Sequence, residues 1–309
     1  MPFFGGTTLD RLLEAMKDRP PVQRTCLDLL NALQHAQQDR EAGSGVREVL
    51  VGREAWGVGR HAPRSTDHAP RLADPRPLTS TASACQVLAS ASYVQAICWI
   101  GACLADALNY ARERGMVHLD VKPSNVLLAA DGQPMLLDFH LASAPMPAGT
   151  PAPAWLGGTP AYMAPEHDLA LAAVRNKQMI AVTVDGQADI YSLGLLLYES
   201  LGGLRPVPTS RLGRELRQRN PHVTKGLADL LGKCLAPVPQ NRYPTAGSLA
   251  ADLRRHLADL PLRGVRNRSI SERWWKWRRR RPSLLPLFFL IVALSGAAAV
   301  GIVHGNKRL

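Results

Sequence analysis

The sequence predicts a mainly α-helical domain followed by a single transmembrane helix, and three observations lead to this expectation. Apolar residues recur at helical spacing along several long segments. Only short strand-like runs, at 126–128 and 135–137, border a polar loop in the middle of the chain. Near the C-terminus, 21 consecutive residues at 283–303 carry no charge, which is enough for a helix to cross a hydrocarbon core of about 30 Å.

The helices of the domain are predicted from apolar periodicity and from glycine and proline boundaries. Residues 8–38 have a helical pattern that Pro20 and Pro21 break into two helices. Residues 93–114 form a strongly amphipathic helix that Gly115 ends. Further helices are predicted at 186–201, 226–235 and 247–257.

Two segments lack this periodicity. Residues 39–90 are rich in Arg, Pro, Gly, Ser and His, and we interpret them as a long, mobile insertion. Residues 143–156 are rich in Pro and Ala and are expected to be flexible.

The central loop carries polar residues at fixed spacing. His118 and Asp120 are followed by Lys122 and Asn125, and Asp138 comes thirteen residues after the asparagine. An Asp in such a loop can accept the proton of a substrate hydroxyl, and a nearby Lys can neutralise charge on a transferred phosphoryl group. An Asn and a second Asp can hold magnesium between phosphates. The pattern therefore favours phosphoryl transfer over a surface loop with chance charges.

This pattern resembles the catalytic loop and metal-binding turn of serine/threonine protein kinases. Residues 158–166 resemble the end of an activation segment. Asp189 opens a run similar to the start of the long buried helix of the large lobe, and Arg242 stands in a motif that follows later in that family. The resemblance covers residues 1–36 and 92–258 and implies the large, C-terminal lobe of a bacterial membrane-anchored kinase.

The resemblance implies a role for each site residue. Asp120 would orient and deprotonate the substrate hydroxyl, and Lys122 would stabilise the γ-phosphoryl group of ATP. Thr159 would support the substrate loop and is a feature of serine/threonine specificity. Asn125 and Asp138 would bind Mg²⁺ and the cofactor phosphates. ATP and Mg²⁺ are therefore the expected cofactors, and a protein Ser or Thr is the expected substrate.

The resemblance also implies structural roles. Asp189 would brace the backbone of the catalytic loop, of which His118 is a structural member. Glu166 and Arg242 would form a buried ion pair, whereas each taken alone could be a solvated surface charge. If the pair is buried, loss of one partner would cost about 3–5 kcal/mol because the other charge is stranded.

Two positions depart from the family pattern. Leu119 replaces the Arg that commonly pairs with a phosphorylated activation-loop residue, so regulation by such a phosphate is not expected. His140 stands where the family has Gly, a residue that tolerates backbone angles costly for others. The turn should therefore be less mobile, and we interpret His140 as a hydrogen-bonded or solvated side chain and not as a metal ligand.

The small lobe of the family is not recognisable. Residues 1–14 resemble the hinge strand and the first helix of the large lobe. The glycines at 43–52 are not followed by the expected strand, and no Lys lies between Lys17 and Lys122. Three hypotheses stay open: a truncated kinase, an inactive membrane-tethered scaffold, and a fragment in which Met1 is an internal methionine.

Charge is concentrated before the uncharged run. The formal net charge is +12, and positions 273–281 hold six basic residues and three tryptophans. Tryptophans suit the membrane interface and basic residues mark the cytoplasmic side, so we expect a cytoplasmic domain and a short tail outside. A platform for single-stranded nucleic acid is the alternative. The adjacent apolar run favours the lipid bilayer as partner, with no nucleic acid.

The predicted organisation has four parts: a kinase-like domain at 1–262, a basic and aromatic juxtamembrane segment at 263–282, the transmembrane helix at 283–303 and a tail at 304–309. Small residues recur every four positions in the span, at 293, 297 and 301. Such a stripe allows weak dimerisation, but we favour the simpler interpretation of a lipid-facing helix that happens to carry small residues.

The five cysteines show no Cys-x-x-Cys pairing. Cys98 and Cys103 lie in an apolar helical run and are expected to be buried thiols. This composition suits a reducing cytoplasm and gives no support for a zinc site or a disulfide framework.

Overall fold

A computed structural model describes residues 6–43, 84–206 and 211–265. Within these ranges the fold is mainly α, as predicted. The helices are α1 (Leu9–Ala15), α2 (Cys26–Gly43), α3 (Ala84–Ser90), α4 (Tyr93–Glu113), α5 (Pro165–Asn176), α6 (Gly186–Gly202), α7 (Leu212–Arg219), α8 (Lys225–Cys234) and α9 (Ala246–Leu257). The strands are β1 (Thr7–Thr8), β2 (Val126–Leu128) and β3 (Pro134–Leu136).

Helix α4 is the central support of the domain and packs against α9 and α6. A capping box starts it: the Gln95 N–H donates to Ser92 Oγ, and the Ser92 N–H donates to Gln95 Oε1. At Gly101 an added Cβ would lie 2.8 Å from Leu197 of α6, so glycine allows the two helices to approach closely. Because α4 delivers the chain directly into residues 117–126, its packing positions the catalytic loop.

Helix α4 is also the one helix among the described residues that is long and apolar enough to cross a membrane. Most of its apolar window is buried inside the fold, as expected for a core helix. The predicted juxtamembrane segment, apart from residues 263–265, and the predicted transmembrane helix at 283–303 lie outside the described residues.

Helix α6 lies at the centre of the apolar core. Asp185 caps its first turn by accepting from the Gln187 N–H at 2.8 Å, and Gly203 ends it with a left-handed φ of 75°. Its residues are buried on nearly every face. A helix of this kind holds its N-terminal residues rigidly, and Asp189 lies in that first turn.

The three strands form one antiparallel sheet in the order β1-β2-β3. Thr7 pairs with Leu128, and Leu127 pairs with Met135. Gly6, with φ of 90°, lies so close to β2 that an added Cβ would meet Leu128 O at 2.0 Å. The pairing of β2 with β3 therefore holds in place both ends of residues 126–136, which follow the catalytic loop.

Two apolar clusters flank the polar loop. The larger one lies among α1, α2, α4, α6, α8 and α9. The smaller one packs beneath the 143–164 segment and includes Leu119, Met146, Leu156, Met163 and Val184. Leu119 thus takes part in apolar packing at the position where the family has an Arg.

The segment at 143–156, expected to be flexible, makes regular contacts in the structure. Backbone bridges join Ser143 to Val117, Met146 to Val184 and Pro151 to Met179. Pairing of this kind depends on residues distant in sequence, so the local Pro and Ala content gives no sign of it.

Helices also occur where the sequence analysis has none. Residues 39–43 and 84–90, counted in the insertion, belong to α2 and α3, which pack against each other. Helix α5 begins with a proline, a favoured first helical residue, and α7 is polar, with Leu216 as its buried residue. These helices are short or polar, and tertiary contacts stabilise them more than apolar periodicity does.

Candidate active site

Three side chains meet in a closed arrangement at the catalytic loop. Lys122 Nζ lies 2.8 Å from Asp120 Oδ2 and donates to Thr159 Oγ1 at 2.8 Å. Thr159 Oγ1 in turn donates to Asp120 Oδ1 at 2.7 Å. Asn125 Nδ2 donates to the backbone oxygen of Asp120 at 2.9 Å and to its Oδ2 at 3.0 Å. Both carboxylate oxygens of the buried Asp120 are therefore hydrogen-bonded.

These contacts determine the charge state of Asp120. Burial alone would raise its pKa, but hydrogen bonds from Lys122, Thr159 and Asn125 and the charge of Lys122 outweigh burial and hold the pKa below its usual value. The carboxylate is consequently ionised at neutral pH. It can orient a hydroxyl group and accept its proton.

Asp189 holds the backbone of the catalytic loop from below. The N–H groups of His118 and Leu119 donate to its two carboxylate oxygens, each at 2.8 Å. Leu119 has a left-handed φ of 64°, a conformation that costs a non-glycine residue of the order of 1–3 kcal/mol. The bidentate contact with Asp189, whose pKa burial raises to about 7, supports this strained turn.

His118 joins the catalytic loop to the residue that precedes Asp138. Its Nδ1 accepts from the Asp120 N–H at 3.2 Å, which assigns the ring proton to Nε2, and Nε2 lies 2.9 Å from Leu137 O. Burial lowers the pKa of His118. The neutral ring thus acts as a structural bridge between the two polar segments.

The Asp138 turn is anchored by its backbone and open at its side chains. The Leu137 N–H donates to Asn125 O at 2.8 Å, and the Phe139 ring lies edge-on to the His118 ring at 4.6 Å. Asp138 has a left-handed φ of 68°, and its side chain is 45% exposed. His140, 61% exposed, contacts Asp138 Oδ1 through Nδ1. The positive φ thus falls on Asp138 and not on His140, the position of the family glycine.

Glu166 and Arg242 form a buried, bidentate ion pair, with N–O distances of 2.6 and 2.8 Å. Arg242 also donates to the backbone oxygens of Ala236, Gln187 and Pro237. All of these contacts are charge-assisted. The pair therefore attaches the start of α5, and with it the end of the 143–164 segment, to the loop before α9.

The residues present fit the Mg²⁺ that the family resemblance implies. Magnesium prefers oxygen ligands in octahedral geometry, and Asn125 and Asp138 supply an amide oxygen and a carboxylate. Because Asn125 Nδ2 faces Asp120, its Oδ1 stays without a donor among the described residues. No group of three or more His, Cys, Asp or Glu side chains in that part of the chain could hold a metal ion unaided, so the cofactor phosphates would complete the site.

His167, which follows the Ala-Pro-Glu motif, supports the site although the sequence does not single it out. This buried ring lies with Nε2 2.9 Å from Gly157 O, and burial lowers its pKa. An added Cβ on Gly158 would lie 2.8 Å from the His167 ring. His167 therefore holds the chain just before Thr159. No local signal shows this, since an isolated His at a helix start is usually solvated.

A cavity of about 500 Å³ opens beside the catalytic loop. Lys122 and Thr159 line one side of it, and α1 and α6 contribute Asp10, Glu14 and Glu199. Tyr162 in its wall donates to Glu199. A substrate segment in this cavity would lie next to the Asp120 arrangement.

Comparison with known proteins identifies the family of the chain. The sequence model described as the protein kinase domain matches residues 86–253, more than half of the chain. The serine/threonine-protein kinase PknB of Mycolicibacterium smegmatis is 34% identical over 162 residues, which are 48% of this chain and 24% of PknB. The tyrosine-protein kinase MasK of Myxococcus xanthus is 33% identical over 204 residues, 60% of this chain and 29% of MasK.

Among solved structures, the kinase domain of PknI from Mycobacterium tuberculosis is 30% identical, covers 52% of this chain and 55% of that one, and has a TM-score of 0.38. The chain spans about a quarter of the length of the curated relatives it matches. The match of the family model over more than half of its length shows that the chain belongs to the protein kinase domain family.

Proposed function

We propose that this chain is a membrane-anchored protein kinase that transfers the γ-phosphoryl group of ATP to Ser or Thr hydroxyls of a protein substrate. The observation that carries the proposal is the closed arrangement of Asp120, Lys122 and Thr159. Phosphoryl transfer depends mainly on positioning and electrostatic stabilisation, and this arrangement supplies both next to the cavity that Lys122 and Thr159 line.

Each residue has a task in that reaction. Ionised Asp120 orients the attacking hydroxyl and accepts its proton. Lys122, whose ammonium group lies between Asp120 and Thr159, stabilises negative charge on the transferred group. Asn125 and Asp138 would hold the Mg²⁺ that, when bound, neutralises the phosphate oxygens. His118 and Asp189 keep the loop in place without contacting the substrate.

Serine/threonine specificity is supported by Thr159. Its hydroxyl contacts both Asp120 and Lys122, so a reacting hydroxyl has to reach Asp120 alongside it. A short Ser or Thr side chain fits this approach better than the long, rigid ring of Tyr. Of the two relatives described above, PknB carries a serine/threonine name and MasK a tyrosine name, and a comparison of Ser, Thr and Tyr peptides as substrates tests the proposed specificity.

Membrane anchoring is supported by the sequence alone. The uncharged run at 283–303 is long enough for a spanning helix, and basic residues precede it. We propose that the kinase domain faces the cytoplasm, that the short tail lies outside, and that the spanning helix permits weak dimerisation. Separation of membranes from soluble protein, with a high-salt wash, tests this: the full chain should stay in the membrane fraction and lose that property when residues 283–309 are deleted.

A second candidate function is an inactive, membrane-tethered scaffold. The contact of His140 with Asp138 favours the scaffold, because His140 then occupies the carboxylate that would bind the metal in an active kinase. The apolar packing of Leu119 is a second departure from the usual catalytic loop. In this case the cleft would bind partners without transferring phosphate.

The test measures transfer of labelled phosphate from Mg-ATP to generic Ser, Thr and Tyr peptides. No glycine-rich phosphate loop followed by a strand lysine is recognisable among the described residues, so we expect no detectable transfer by residues 1–309 alone. We expect transfer when the small lobe of PknB is joined before residue 6, as a truncated kinase requires. An inert fusion with Asp120 intact would favour the scaffold, and robust transfer by the unfused chain, lost in Asp120→Asn, would show that no added lobe is needed.

A further inference from the structure

A second cavity, of about 550 Å³, lies between α1 and α2, and we call it the α1–α2 cavity. Arg11 and Met16 line it from α1, whereas Asp10 and Glu14 of the same helix line the cavity beside the catalytic loop. With about 3.6 residues per turn, these two pairs lie on opposite faces of α1. The protein kinase domain model matches residues 86–253, so both helices of the α1–α2 cavity lie outside the matched range. Its volume suits a small organic molecule.

The hydroxyl group of Thr7 is the first sign of a ligand in this cavity. Thr7 is completely buried and lines the cavity, and its Oγ1 has no hydrogen-bond partner among the described residues. Pairing of its backbone with Leu128 of β2 holds the residue in place, and a β-branched side chain is stiff at χ1. Because a buried hydroxyl without a partner is costly in a folded protein, this oxygen is available to a bound polar group.

A second atom of this kind lies on the opposing helix. Gln37 Nε2 of α2 is the other buried side-chain atom without a hydrogen-bond partner in the part of the chain that the structure describes. Gln37 is next in sequence to Ala36, which lines the α1–α2 cavity. A hydroxyl and an amide N–H group can both donate hydrogen bonds. The two elements that build this cavity therefore favour a ligand with acceptor oxygens.

The charged side chains of the cavity favour an anion. Arg11 makes no hydrogen bond or ion pair within the described ranges, whereas Arg19 contacts Asp28 through Nη1. Asp28 also accepts from the N–H and the hydroxyl of Thr25. With His35 counted as neutral, two arginines and one aspartate leave a surplus of one positive charge. A carboxylate matches this surplus and fits the planar donor fork of an arginine, whereas a doubly charged phosphate exceeds it.

We propose that the α1–α2 cavity binds a small organic carboxylate. The carboxylate accepts hydrogen bonds from Arg11 and from the Thr7 hydroxyl. Its apolar body packs on the buried side chains of Leu12 and Met16, with Ala32 of α2 in the same wall. Burial of that body supplies affinity, and the arginine and the hydroxyl select the charged group. None of these residues takes part in the proposed phosphoryl transfer, so the two proposals stand or fall separately.

The test is ligand-observed ¹⁹F NMR with 4-fluorobenzoate, a carboxylate on a compact apolar ring. The full chain is held in nanodiscs of uncharged lipid, and nanodiscs without protein give the background. 4-Fluorobenzamide has the same shape without the charge. We expect 4-fluorobenzoate to bind with a dissociation constant of the order of 1 mM, as about ten non-hydrogen atoms allow. The benzamide should bind about tenfold more weakly.

Two substitutions separate recognition from folding. Arg11→Gln should weaken 4-fluorobenzoate about tenfold and leave the benzamide unchanged, because it removes the charge. Thr7→Val replaces the hydroxyl with a methyl group and should weaken 4-fluorobenzoate about fivefold. The thermal unfolding midpoint of Thr7→Val should not fall, since the lost hydroxyl has no partner to leave behind. Lys17→Gln is the matched control: it removes a positive charge from the opposite face of α1 and should bind like the native chain.

Four results would overturn the proposal. One is equal affinity of the native chain for 4-fluorobenzoate and 4-fluorobenzamide. Another is unchanged binding in both Arg11→Gln and Thr7→Val, which would place the probe elsewhere. A native chain that binds no probe above the nanodisc background would leave the Thr7 hydroxyl to water alone. Displacement of 4-fluorobenzoate by inorganic phosphate at a lower concentration than by acetate would make the site one for phosphate and not for carboxylate.

Discussion

The surroundings of Asp120 and of Asp138 in the candidate site are built differently, although the two residues are only eighteen positions apart in the sequence. Asp120 is buried, and both of its carboxylate oxygens are hydrogen-bonded by side chains of Lys122, Thr159 and Asn125. Asp138 is half exposed, and within the described ranges its side chain contacts the exposed His140.

The difference shows which part of the site is organised before a ligand arrives. Preorganised groups around Asp120 need no rearrangement at the moment of reaction, which is where such groups are most effective. The Asp138 side chain stays partly accessible, as the proposed role of Asp138 in binding a cation requires. Hydrogen bonds of the Leu137 backbone to His118 and Asn125 hold the two segments together. An ordered Asp120 and an accessible Asp138 can therefore lie in neighbouring segments.

The largest expected effect is on the rate of phosphoryl transfer. In the active fusion with the PknB small lobe, Asp120→Asn and Asp138→Asn should each lower the rate by about 10²–10⁴, since one removes the base and the other a metal ligand. Labelled ATP and a Ser or Thr peptide measure this. Retention of more than a tenth of the rate in either variant would contradict its assigned role.

Stability should separate the same two variants. Asp120→Asn removes a charge that holds three hydrogen bonds and should lower the free energy of unfolding by about 1–3 kcal/mol. Asp138→Asn changes an exposed group and should alter it by less than about 0.5 kcal/mol. Urea unfolding of the unfused chain measures both values. Equal losses would show that the two sides are equally integrated into the fold.

The pH dependence of the free energy of unfolding tests whether the buried His167 ring stays neutral in the folded chain. Burial holds the pKa of His167 below the usual 6.5. Just below pH 6.5, His167 is therefore protonated in the unfolded chain and still neutral in the folded chain. The stabilisation by neutral His167 is therefore complete above pH 6.5 and is lost as pH falls towards its folded pKa. The loss is at most about 1.4 kcal/mol per pH unit.

The measurement compares urea unfolding of the native chain and of His167→Gln between pH 7.5 and 5. Asp189 acts with the opposite sign, because burial raises its pKa to about 7 and the folded chain then holds a proton that the unfolded chain releases. Both proteins contain Asp189, so its contribution cancels in their difference. Parallel curves for the two proteins would show that His167 is not held neutral.

The smallest expected effect is at Thr159. Thr159→Ala removes one hydrogen bond to Asp120 and one from Lys122, but the direct contact of those two residues remains. The transfer rate in the fusion should fall by about tenfold or less, equivalent to roughly 1.4 kcal/mol. Thr159→Ser keeps the hydroxyl and serves as the matched control. A loss as large as that of Asp120→Asn would give Thr159 a direct part in the chemistry.

The sequence predicted the polar loop because its residue types and their spacing are local properties. Residues 118–125 lie on one continuous stretch, and the strands at 126–128 and 134–136 border it within one residue of expectation. Family resemblance was needed to connect Glu166 with Arg242, which are 76 residues apart. Nothing in the local sequence around either residue indicates that the two side chains meet in the folded chain.

Other features depend on contacts that no local pattern encodes. The ring of His167 is buried because the chain at Gly157 folds over it. The contact of His140 with Asp138 accompanies a left-handed φ at Asp138, whereas the family pattern led us to expect the unusual backbone at position 140. Helices α5 and α7 form without a long apolar pattern, so periodicity did not predict them.

The packing of α4 has a consequence for synthesis of the protein. This helix is apolar enough to cross a membrane, and one of its main neighbours in the fold is α9. The ribosome completes α9 about 140 residues after α4, which at roughly 5–20 residues per second takes about 7–29 s. During that interval the nascent chain exposes a segment that chaperones and the membrane-insertion machinery could both bind. Yield in cells should therefore depend on chaperone supply even though the finished domain hides α4.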